Sequence, residues 1–104
     1  MNLNNFANCL NLHNINIGFY VNKNFHKWCA IAQILKLNKR YDITVNTEHI
    51  FIIDKLNNNV ICVATPQVKS LLNRTAFIFC DSDISQEEQI KIYERIVSWK
   101  DYSL

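Results

Sequence analysis

Glycine and proline are almost missing from this chain. Its 104 residues hold one of each, Gly18 and Pro66, against fifteen asparagines. Loops that cradle phosphates, dinucleotide turns and nucleophile elbows need two or three glycines, because backbone must approach the ligand closely and adopt positive φ. None of those sites can be built here. Asparagine and isoleucine together supply 29 residues and alanine five, the pattern of an AT-rich coding source such as a bacterium, phage or plasmid.

Other absences narrow the classes further. No apolar run approaches the roughly 18 residues of a membrane span. The N-terminus has no basic segment followed by a hydrophobic stretch, so a cytoplasmic protein is expected. Acidic residues are absent from positions 1–40, which carry Lys23, Lys27, Lys36, Lys39 and Arg40; positions 41–104 carry nine carboxylates and six bases. The two parts are therefore charged +5 and −3, an asymmetry that speaks of partners rather than of fold. The four cysteines form no C-x-x-C pair and read as small buried hydrophobes in a reducing compartment.

What is present is 49% apolar and 19% charged, a globular composition long enough for one domain. Leu3, Phe6, Ala7 and Leu10 recur at helical spacing, predicting a helix over 3–11. Ile15, Ile17, Phe19 and Val21 alternate with Asn16, Gly18 and Tyr20, predicting a half-buried strand. Asn22 or Asn24 can cap a helix that carries Phe25, Trp28, Cys29, Ile31, Ala32 and Leu35 on one broad stripe to about residue 37. Strand signals follow at 41–45, 50–53 and 60–64. Asn46 and Asn57–Asn59 stand between them, since asparagine tolerates left-handed backbone better than any other non-glycine residue. Pro66 opens a short helical segment to about 73. Residues 76–80 are wholly apolar and predict a central strand. Ser85 and Glu88 form a capping box for a last helix reaching about Lys100. That helix has two apolar stripes, Ile90/Tyr93/Val97 and Ile92/Ile96/Trp99. One suffices for docking on a sheet, so the other suggests deep burial or a partner. The fold expected is a single α+β domain over 1–104, with a mixed or mostly antiparallel sheet of about five strands packed against two to four helices.

Several groups could carry chemistry. Cys9/His13 and His26/Cys29 are i,i+4 and i,i+3 pairs that could close a zinc tetrahedron, although a core strand separates them; buried cysteines and surface histidines are the plainer reading. Asp81, Asp83, Glu87 and Glu88 form an acidic cluster that could hold a divalent cation, but a helix N-terminus wants those charges in any case. His49 with Cys62 or Cys80 could make a thiol–imidazole pair, which apolar surroundings disfavour.

Gln89-Ile90-Lys91-Ile92-Tyr93-Glu94-Arg95, followed by Trp99-Lys100-Asp101-Tyr102, resembles the last helix of GNAT acyltransferases, where an A-x-x-x-Y-E-x-x-G-F stretch precedes the final strand. The element order from residue 15 onward is also similar to that fold. The resemblance implies Tyr93 as a general acid. The acetyl-CoA loop of that family, however, falls on residues 64–70 here, which contain no glycine. The resemblance therefore implies at most a degenerate, non-catalytic relative.

The leading expectation is a small non-enzymatic protein, without a cofactor, that binds another protein as an inhibitor, immunity protein, chaperone or adaptor. The expected contact residues are Lys23, Lys27, Lys36, Lys39 and Arg40, together with Ile92, Ile96 and Trp99 of the last helix. The alternative partner is a nucleic acid, held by the basic 23–40 region with Tyr20 as a stacking ring. A homodimer is compatible with either; a membrane is not expected.

Overall fold

A computed structural model describes residues 3–66 and 77–103, with side chains described through Glu94. The elements are α1 (Leu3–Cys9), β1 (Asn16–Tyr20), α2 (Phe25–Leu35), β2 (Tyr41–Val45), β3 (His49–Asp54), β4 (Asn59–Ala64), β5 (Phe77–Cys80) and α3 (Gln86–Ser103). The expected helix at 66–73 lies outside the described residues. The sheet is mixed, in the order β2-β3-β4-β1-β5. β2, β3 and β4, the three strands expected in this stretch, form an antiparallel meander, with Ile43 opposite Ile52 and Ile52 opposite Ile61. β1 lies parallel to β4 on one side and to β5 on the other. The α+β class and the five strands match the sequence expectation.

Two strand assignments change. β1 is not half-buried: Ile17 to Tyr20 are all buried, because helices cover both faces of the sheet at its position. Among the described residues β5 is not central but an edge strand. A wholly apolar run reports burial of side chains; it carries no information on whether both backbone edges are paired.

The sheet has helices on both faces. α1 and α2 cover one face, where Phe6, Phe25, Trp28 and Ala32 pack on Ile17, Phe19, Ile50, Ile52, Ile61 and Val63. Phe6, Phe19, Trp28 and Phe79 form one aromatic cluster with centroid distances of 5.1–6.2 Å, joining α1, α2, β1 and β5. α3 covers the other face, where Ile84 and Ile92 pack on Tyr20, Cys62 and Ala64. The capping box forms as expected: the Glu88 N–H donates to Ser85 Oγ, and the Ser85 N–H to the Glu88 carboxylate.

Asparagine replaces glycine in this fold. Among the described residues, the non-glycine residues at positive φ are Asn14 (59°) and Asn58 (56°), whereas Gly18 has ordinary strand φ. Asn58 Nδ2 donates to Asn14 Oδ1, so the two left-handed positions hold each other. Asn59, fully buried, accepts from the Ile15 N–H and donates to the Leu12 and Cys9 carbonyls. Asn57 donates to the Leu10 carbonyl. The β3–β4 turn thereby clamps the segment between α1 and β1. Asn46 works differently: its Oδ1 accepts from Thr47 N–H and Oγ1 without positive φ.

Candidate functional site

The residues that the sequence brought forward fall in separate places. Arg40 is structural. Its Nε and Nη2 each lie 2.8 Å from the oxygens of Asp54, whose side chain is wholly buried, and Nη2 also donates to the Leu10 carbonyl. Hydrogen bonding from the guanidinium, foremost, holds the Asp54 carboxyl below its ordinary value, against the opposing effect of burial. Arg40 is thus engaged inside the fold, with a quarter of its side chain exposed. A basic run in sequence gives each base equal standing; the carboxylate that claims this one lies fourteen residues downstream.

The four lysines do remain outward. Lys23, Lys27, Lys36 and Lys39 are exposed, and none of them forms an ion pair among the described residues. α2 explains their placement. Its inner stripe of Phe25, Trp28 and Ala32 fixes the helix on the sheet, which turns Lys27, Ala30, Ile34 and Leu37 outward at spacings of three, four and three. Ile34 is 68% exposed and Leu37 86% exposed. Leu37 is held in line by its N–H donating to the Ile34 carbonyl in the turn that ends the helix. Two bare aliphatic side chains thus lie on the outward side of α2 and its closing turn, in a segment whose four exposed lysines form no ion pair among the described residues and which has no carboxylate before Asp42. Sequence reasoning found the lysines but missed Ile34 and Leu37, which the wide apolar stripe of α2 concealed.

The aromatic part of a nucleic-acid surface does not survive. Tyr20 is 3% exposed beneath α3, and Phe25 and Trp28 are in the core. α3 corrects the other predicted contact set. Ile92 is buried on the sheet, and Ile90 and Tyr93 face outward instead; the side chains of Ile96 and Trp99 lie outside the described residues. α3 continues as one helix through Trp99 and Tyr102 to Ser103.

The cysteine–histidine pairs do not gather. Cys9 is buried at the end of α1 and Cys29 is partly buried on α2, while His13 and His26 are exposed. Burial pushes both thiols up. Among the described residues, no group of three or more His, Cys, Asp or Glu side chains could hold a metal ion. Cys62 is pushed up to about 12 by burial, so it is a thiol at neutral pH. The Phe51 ring lies edge-on to His49 and opposite Cys62 in the ladder.

The acidic cluster serves as a latch. Asp81 accepts from Asn24 Nδ2, and Asp83 accepts from the Lys23 N–H, so the end of β5 is tied to the β1–α2 loop. Asn24 accordingly makes no side-chain cap on α2, contrary to the sequence expectation.

No family model matches this chain, and no curated protein or solved structure is significantly similar to it. The GNAT resemblance therefore finds no support in these comparisons. Among the described residues no helix is long and apolar enough to cross a membrane.

Proposed function

We propose that this chain is a non-enzymatic binding protein of the cytoplasm whose outward α2 face docks on another protein. One observation carries this reading: Ile34 and Leu37 stand exposed on the outward side of α2 and the turn that ends it, in a segment whose four lysines, Lys23, Lys27, Lys36 and Lys39, are exposed as well. An apolar centre with a charged rim is the anatomy of a protein contact, in which the centre supplies affinity and the rim orientation and on-rate. The partner is expected to present carboxylates around an apolar recess. Four free cysteines fit a reducing compartment.

The same lysines could neutralise phosphates, but bare aliphatic side chains gain little from a nucleic-acid backbone, and the stacking rings are buried. The protein reading is therefore favoured.

The test compares the wild-type chain with Ile34→Asp/Leu37→Asp and Lys27→Glu/Lys36→Glu in affinity capture from cells of the natural source. Fully burying each aliphatic side chain is worth about 1.5–3 kcal/mol, so the first variant should lose on the order of a hundredfold or more in affinity. The second should slow association. Both should keep the wild-type melting temperature. Capture of the same partner by both variants would refute the assignment. So would tight oligonucleotide binding whose log K falls with log salt at a slope of about −3.6, the value for four neutralised phosphates.

A further inference from the structure

We draw no further inference here: the strongest candidate, the outward surface patch of α3 where Ile90 and Tyr93 stand exposed, carries none because nothing in the structure shows what covers it.

Discussion

Asp54→Asn probes the ion pair that holds the α1 end, the β2 approach and the β3–β4 turn together. The asparagine keeps the shape and one acceptor oxygen but removes the charge. Arg40, a quarter exposed, would then keep its guanidinium against the wholly buried site without a counter-charge. Removing one member of a buried pair costs about 3–5 kcal/mol, and the partial exposure of Arg40 places this case at the lower end, about 3 kcal/mol. For a chain of this length each kcal/mol moves the melting temperature by roughly 4–8 °C, so the fall should be on the order of 12–24 °C. Urea titration and scanning calorimetry read it directly.

The pH dependence gives a second readout with a definite sign. The Asp54 carboxyl is lowered in the folded chain, chiefly by Arg40 and further by the Asn57 and Leu56 N–H groups. The unfolded chain therefore takes up this proton at higher pH than the folded chain does. The contribution is complete above the ordinary carboxylate value of about 4 and is lost as pH falls below it toward the lowered native value. In Asp54→Asn that part of the acid limb disappears. A stability change under about 1 kcal/mol, or an acid limb identical to wild type, would refute the claim that this pair is a buried, charge-dependent tie. Replacing both partners by apolar residues should restore much of the loss, since two uncharged groups leave nothing unpaired.

Asn59→Ala removes the group that satisfies the Ile15 N–H and the Leu12 and Cys9 carbonyls. It should cost about 2–4 kcal/mol in urea unfolding, and Asn59→Asp should not rescue it because a carboxylate donates nothing to the two carbonyls. Asn58→Ala should cost about 1 kcal/mol at its positive φ, whereas Asn58→Gly should stay near wild type. Cys62 should resist alkylation in the folded chain at about pH 8 and react once urea unfolds it, since burial raises its thiol to about 12. Because that value lies above the ordinary 9.0, the associated stability is intact below pH 9 and declines as pH rises toward 12.

Most elements could be read from local pattern. The period-two run at 41–45, the apolar run at 60–64 and the stripe of α2 each became the element expected, because spacing alone decides which side chains can share a face. The capping box is legible for the same reason: Ser85 and Glu88 satisfy each other within one turn. Where the lysines would lie was also legible, since an ammonium group without a partner goes to water. What could not be read were the long-range choices. Arg40 and Lys39 are neighbours in sequence, yet Asp54 claims only the first. Ile92 was expected among the contact residues, yet α3 settled on the sheet with Ile92 beneath it and Ile90 outward.

By itself, then, the sequence determined that glycine-dependent catalytic loops are excluded, that the chain is an α+β domain and that its first forty residues are a basic, acid-free stretch. Only the tertiary structure decided that Ile34 and Leu37 are bare, that Tyr20 is buried, that β5 is an edge among the described residues and that Asn14 and Asn58 take the left-handed positions the lone glycine leaves unfilled. The reason is physical. Periodicity is a property of neighbours a few residues apart, whereas exposure, edge position and charge pairing depend on which distant segments pack together.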